Sequence, residues 1–255
     1  TLGCREVIVD FMELVGLKEA VEQGRAHDCR VVIATPRIQK PGEEPIDRRL
    51  ESLAPDGILA RHLGALQHYR DRVGLGFTLH GDFSLNATNA LSAQILFDYG
   101  LSTLTPSYDL NIEQISALAT AIDASRLEVT LHQHLPLYHT EYCLYAHHLS
   151  LGRDFRDCGR PCEAHRIKLR DGRAMDHPVL VDIGCRNTVF NAEAQSAAKY
   201  VPQLRRLGIQ RFRVEFVWEQ AKETAVVMQS YSELLEEKIN AATLSQRLGA
   251  FGQVC

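Results

Sequence analysis

HQHLPLYHTEYC (132–143), DCGRPC (157–162) and DIGCRN (182–187) interrupt an otherwise regular chain. On both sides of them the sequence repeats an apolar strand followed by an amphipathic helix. Four of the seven cysteines fall inside the interruption, Cys143, Cys158, Cys162 and Cys185, spaced C-x14-C-x3-C-x22-C. Residues 135–190 therefore read as a cysteine-rich insertion held by a scaffold of strand–helix units.

Seven such units can be traced outward from it. The strands are EVIVDF (6–11), RVVIATPR (30–37), DGILARH (56–62), GLGFTLHGDFSLN (74–86), LSTLTPSYD (101–109), RLEVTLHQH (126–134) and RFRVEFV (211–217). Helical spacing follows each of them, over 17–27, 48–53, 65–72, 87–99, 111–125, 192–208 and 219–239. The helix over 192–208 is expected to kink at Pro202. KPGEEP (40–45) is a loop by its proline and glycine, PVLVDIG (178–184) a strand within the insertion, and the tail from Asn240 has no evident core partner. Alternating strands and helices imply a parallel sheet with helices on its faces. Seven units predict one α/β domain over 1–255, a (β/α) TIM-like barrel that is irregular or one unit short, with the insertion after its sixth strand. A doubly wound open sheet is the runner-up. The absence of G-x-G-x-x-G and G-x-x-x-x-G-K-[ST] counts against a nucleotide-binding version of it.

Composition narrows the class. At 45% hydrophobic and 24% charged residues the chain reads as globular. A net charge of −4 gives no support for a broad nucleic-acid footprint. No run has the length of a membrane span and no signal peptide opens the chain, so a cytoplasmic location is expected. Thr1 in place of Met reads as a fragment of a larger protein or a processed product. An odd number of cysteines without a secretory signal argues against a disulfide framework and for ligands.

In a barrel the C-terminal strand ends carry the chemistry. Here those ends hold Asp10, Thr35 with Arg37, Arg61 with His62, Asp82 with Asn86, Ser107 with Asp109, His132 with His134, and Glu215. Asp82 and Glu215 are candidate general bases. His132 and His134 are two apart on a strand and face one side, a pattern that binds a divalent metal as readily as it marks one pocket and one packing histidine. The thiols suit zinc as Cys3His or Cys4, or an iron–sulfur cluster. Cys158 and Cys162 form the one closely spaced pair. Cys4, Cys29 and Cys255 read as ordinary thiols. There is no G-x-S-x-G and no H-E-x-x-H.

The strand EVTLHQHLPL, then TEYC, then CGRPC and a polar hairpin together resemble peptidase family U32, the collagenase-like group. Glu128, His132, Cys143, Cys158 and Cys162 stand at that family's signature positions. GDFSLNATNA (81–90), with Asp82, Asn86 and Asn89, and TPSYDLN (105–111), with Asp109, resemble its neighbouring strand ends. Many members carry a further cysteine where this chain has Pro136. The fourth ligand is then Cys185, an N-terminal thiol such as Cys4 or Cys29, or none, leaving an open iron.

The resemblance implies two activities. One is a collagenase-like peptidase, with His132, His134 and Asp82 or Glu215 around a metal. The other is oxygen-independent hydroxylation of an RNA base or an aromatic, quinone-precursor ring by an enzyme with a [4Fe-4S] cluster. The residues favour the second, since a ligand set is visible and a protease nucleophile is not. Cys143, Cys158, Cys162 and Cys185 then hold the cluster, while Asp82, Asn86, His132 and Glu215 line the reacting centre. Asn89, Asp109 and His134 contact substrate, and Arg37 with Arg61 takes an acidic small-molecule oxygen donor. A third expectation is a non-catalytic module in which zinc staples the cysteines.

Overall fold

The computed structural model describes residues 4–10, 16–74, 76–152 and 155–249. Phe11 and Cys255, both part of the sequence expectations, lie outside the described residues. In chain order the elements are β1 (Glu6–Val9), α1 (Leu17–Ala26), β2 (Arg30–Ala34), α2 (Pro45–Ser52), β3 (Gly57–Ala60), α3 (Leu63–Tyr69), β4 (Thr78–Gly81), α4 (Ala90–Asp98), β5 (Thr103–Leu104), α5 (Ile112–Ala121) and β6 (Glu128–Gln133). β7 (Pro136–Thr140), α6 (Leu144–Leu149), α7 (Pro161–Ala164), β8 (Ile167–Arg170), β9 (Asp176–Val181) and β10 (Asn187–Phe190) follow. The chain ends with β11 (Gln195–Ser196), α8 (Val201–Arg206), β12 (Arg211–Val214), α9 (Ala221–Leu235) and α10 (Ala241–Leu248).

The scaffold is α/β. Strands β1 to β5 form a parallel sheet in sequence order. A single parallel bridge, Leu104 to Leu127, leads on towards β6, which pairs in parallel with β12. Helices cover one face of the sheet, and on the other Val32, Ala34 and Leu59 pack on one another with Ile8, so consecutive strand residues are buried: Val31, Val32 and Ile33 are nearly inaccessible to solvent. The main core packs Ile33, Ile58, Leu79 and Leu127 against Leu17, Leu66, Leu96 and Leu118 of the helices. No backbone ladder joins β12 to β1 among the described residues. Arg211 reaches Glu6 there through its side chain. The hydrogen-bonded ring of a closed TIM-like barrel is therefore absent from these ladders. Among the described residues no helix is long and apolar enough to cross a membrane.

Residues 136–190 build a second sheet, antiparallel, in the order β7-β10-β9-β8. Its small core is Tyr145, Val179, Val181 and Val189, with Cys143 and Cys162 packed against it.

Three sequence expectations are corrected. The single helix over 192–208 is instead β11, a 3-10 turn at Ala198–Tyr200 and α8. Pro202 lies in the first turn of α8, where a missing N–H costs nothing, and so it starts a helix rather than kinking one. The tail does have a core partner: α10 buries Leu244 completely in the main core. The helix expected to begin at Arg48 starts earlier, with Pro45 in its first turn.

Candidate functional site

The strand ends of the parallel sheet hold a charged network. Asp82, at the end of β4, is 1% exposed. Its Oδ2 accepts a hydrogen bond from Arg61 Nε at 3.1 Å and its Oδ1 one from Arg213 Nη2 at 2.9 Å. Burial pushes the Asp82 carboxyl up, but Arg213, Arg61 and Arg37 outweigh it and hold the group below the usual range. Arg61 also donates to Asp10 Oδ2 at 2.7 Å. Arg213 lies 3.2 Å from Glu128 Oε1 and 2.9 Å from Glu215 Oε1. The Glu215 carboxyl is displaced upward by burial and then by Asp82, against Arg213. Tyr108 donates to its Oε1 at 3.3 Å.

Arg37 stands apart in this network. Its guanidinium lies 5.0 Å over the Phe83 ring, which stacks at 3.8 Å on Tyr108. Among the described residues no carboxylate or carbonyl receives a hydrogen bond or ion pair from it. Burial, then the neighbouring Arg61, lowers its pKa. Arg37 and Arg61 share a chamber of about 590 Å3 with Asp10, His139, Asp182 and Cys162.

The four insertion thiols converge from separate elements. Cys143 caps α6, its Sγ accepting from Ala146 N at 3.4 Å. Cys158 and Cys162 flank the start of α7, and Cys185 sits in the turn before β10, at φ 61°. Burial raises the Cys185 thiol pKa, and Cys143, Cys162 and Cys158 raise it further. Cys162 is raised by burial and then by Cys143, with Cys158 adding to it. All four are free thiols. Cys143, Cys158 and Cys185 line an outer cavity of about 900 Å3, while Cys162 faces the strand-end chamber. The cysteines thus stand between two spaces. Among the described residues no three His, Cys, Asp or Glu side chains gather at the spacing of ligands to a single ion. Cys4 and Cys29 lie at the opposite ends of the strands, beside Glu6 and Arg30.

The other expected site residues are placed elsewhere. His132 is buried against α9, its ring 5.5 Å from that of Tyr231. The cause is a bulge: Arg213 pairs with Thr130 but Val214 with His132, so Leu131 is an extra residue and the alternation of faces breaks before His132. Burial, with help from His134, pulls the His132 pKa down to about 4. His134 donates from both ring nitrogens, Nδ1 to Asn191 O at 2.7 Å and Nε2 to Glu219 Oε1 at 3.2 Å. Neither imidazole contacts Asp82 or Glu215. Asn86 is exposed and holds a left-handed turn at φ 55°. The Asn89 side chain caps α4. The exposed Asp109 takes a hydrogen bond from Ser107 Oγ at 3.2 Å.

Arg213, Tyr108, Phe83, His139, Asp182 and Arg186 were not singled out from sequence. RFRVE offered a signal for the first: Arg211, Arg213 and Glu215 alternate, which puts three charges on one face of a strand.

A family model described as peptidase family U32 matches residues 2–250. The chain belongs to peptidase family U32. The solved structure of the U32 peptidase Mk0906 is similar at 13% identity and a TM-score of 0.40, covering 51% of this chain and 57% of that one. The chain thus spans little more than half of that relative. The structure of ydhD from Bacillus subtilis, described as a candidate sporulation-specific glycosylase, is similar at 10% identity and a TM-score of 0.39, covering 82% of this chain and 87% of that one. No curated protein matches the sequence.

Proposed function

We propose that this U32 chain is an iron–sulfur enzyme for oxygen-independent hydroxylation of an RNA base or an aromatic ring. The observation that carries the reading is the meeting of four free thiols from three separate segments, with cavities on both sides of them. The donor set fits a [4Fe-4S] cluster. It is all sulfur and partly shielded from water. Cys143, Cys158, Cys162 and Cys185 would hold it. When bound, such a cluster supplies electron transfer at a potential tuned by burial and hydrogen bonds.

The remaining work falls to the chain's own side chains. Arg37 has unspent donors facing the chamber and binds an acidic oxygen-donor molecule. Arg61 is not its partner in this, because Asp10 and Asp82 already occupy it. Asp82 orients Arg61 and Arg213. Glu215, raised by burial and within reach of Tyr108, holds a proton at the strand ends. We read the two parallel ladders as the arc of one irregular (β/α) barrel, with the antiparallel sheet as its insertion. Free thiols of this kind suit a reducing compartment.

The test is the iron and acid-labile sulfide content of anaerobically purified protein, beside a Cys158→Ala variant. About four irons and four sulfides per chain, lost in the variant, are expected for cysteine-held cubane ligation. One zinc and no sulfide would overturn the reading.

A further inference from the structure

Cys185 is presented by a tight turn that is followed by Arg186 and Asn187. Cys185 N donates to Asp182 O at 2.9 Å, and Asp182 Oδ1 accepts from Gly184 N at 2.8 Å and Arg186 N at 2.9 Å. At its tip Cys185 takes a left-handed backbone, φ 61°, which a side-chain-bearing residue adopts only when its surroundings impose it. Those surroundings are Arg186 and Asn187.

Arg186 is the largest fully buried side chain, 1% exposed. Its Nε donates to Glu141 Oε1 at 2.8 Å, and its Nη2 donates to Glu43 Oε1 and Oε2 at 2.9 and 3.0 Å. Glu141 lies two residues before Cys143. Glu43 lies far off in sequence, on the loop between β2 and α2 of the parallel sheet. Lys40 of the same loop pairs with Glu141. Gly184 lies flat against the guanidinium: a Cβ there would come within 2.0 Å of Arg186 Nη1. Asn187 is fully buried. Its Oδ1 accepts from Leu144 N at 2.8 Å and its Nδ2 donates to Cys185 O at 3.3 Å. One amide therefore ties the backbone beside Cys143 to the backbone of Cys185.

A buried guanidinium with two carboxylates from different sheets is a costly way to hold a surface turn. Apolar packing would do it as well or better for stability alone. What such a clamp adds is fixed geometry, because a guanidinium fork accepts carboxylates in few orientations. Supports of this kind behind a ligand are what hold its position.

We propose that Arg186 and Asn187 are positioning residues that set Cys185 as the fourth thiolate beside Cys143, with the Lys40–Glu44 loop of the parallel sheet as the anchor. This rests on the cluster reading given above. The clamp makes the Cys185 site depend on how the insertion is seated on the scaffold and ties it to the Cys143 segment, while Cys158 and Cys162 are carried at the start of α7.

The experiment compares wild type, Cys185→Ser, Arg186→Met and the Cys185→Ser/Arg186→Met double variant. Each is purified without oxygen, briefly oxidised, and assayed for iron, far-ultraviolet circular dichroism and electron paramagnetic resonance. Wild type is expected to keep about four irons per chain and both single variants about three, as one thiolate of a Cys4 cluster is lost. The three-iron resonance signature should be the same in both, and the double variant no worse than Cys185→Ser alone. Rescue is expected to fail with Arg186→Lys, whose ammonium cannot reproduce the fork. Where Arg186→Met does not fold, Asn187→Ala carries the same expectation without touching the ion pairs. Four irons and a wild-type signature in a folded Arg186 or Asn187 variant would overturn the proposal and leave the cluster reading standing. A double variant that loses far more than Cys185→Ser would also overturn it, since Arg186 would then act on the fold at large. Wild type without iron and sulfide would overturn the cluster reading, and this inference with it.

Discussion

Arg213 on β12 meets Asp82 at the end of β4, Nη2 to Oδ1 at 2.9 Å, although 131 residues separate them in sequence. Both are almost wholly buried. The contact joins β12 to the end of β4, strands that share no ladder, and so charges rather than backbone bonds span the interior there.

That arrangement fixes the first prediction. Truncation to Arg213→Met leaves Asp82, Glu128 and Glu215 facing one another with a cation removed from between them. Breaking one partner of a buried pair costs about 3–5 kcal/mol. Urea denaturation is expected to show a loss of that order, and Asp82→Asn a loss in the same direction. A change under about 0.5 kcal/mol, the size of an ordinary surface substitution, would mean the network is solvated.

The second prediction concerns acid. His132 is a base whose folded pKa, about 4, lies below the ordinary imidazole value of 6.5, because burial favours the neutral ring. Its neutral form is therefore fully stabilising above 6.5, and the contribution is lost as pH falls from 6.5 towards 4, where the unfolded chain binds the proton first. The shift corresponds to about 3 kcal/mol over that interval. Glu219, held at about 2 by His134 and backbone N–H groups despite burial, acts in the same direction at lower pH: its contribution is present above 4.5 and lost towards 2. His134, raised by Glu219 and Asn191 against burial, has the opposite sign, contributing most below 6.5 and less as pH rises through its folded value. Thermal melts of wild type should lose stability between pH 6.5 and 4. A His132→Gln variant should be less stable at pH 7 yet flatter over that interval. An unchanged slope in the variant would remove His132 as the source.

Much of this was legible in the chain. Apolar runs such as RVVIA and GILA name their strands because a sheet buried on both faces has no polar alternation to confuse them. The convergence of Cys143, Cys158, Cys162 and Cys185 was legible from clustering alone. The face of His132 was not, since a one-residue bulge leaves no mark in composition. Pro202 was ambiguous because the same residue starts one helix and kinks another. Arg37 and Arg61 looked equivalent at their strand ends. Only the fold shows that Asp10 and Asp82 take one of them and that no acid among the described residues takes the other.

That inequality makes the third prediction. Arg37→Leu removes a half-buried cation that has no acceptor among the described residues, so its effect on stability should be near zero or favourable. Arg61→Leu takes from Asp82 one of its two guanidinium partners, leaving Oδ2 without its donor, and should cost about 3–5 kcal/mol. If Arg37 holds an acidic ligand, Arg37→Leu should show lost binding with an unchanged melting temperature. That is the usual mark of a residue kept for function at the expense of stability. Calorimetric titration with a panel of small carboxylic acids, beside melts of both variants, reads the two quantities separately. Equal destabilisation by the two substitutions would contradict the assignment.

Asn89 gives the last prediction, because its position at a strand-end helix invites a substrate-binding role that its contacts do not support. Its Oδ1 accepts from Ser92 N at 2.9 Å, and Ser92 Oγ returns a contact to the Asn89 backbone. The side-chain oxygen is thereby spent on the first turn of α4, whose early N–H groups otherwise lack partners. Asn89→Ala should cost about 1 kcal/mol and Asn89→Ser almost nothing, since a serine hydroxyl caps as well. Ligand affinity should follow neither. Equilibrium unfolding of the two variants, with the acid titration repeated on each, checks both halves. An Asn89→Ser variant that is fully stable but no longer binds would show that the amide, rather than the cap, is what the site uses.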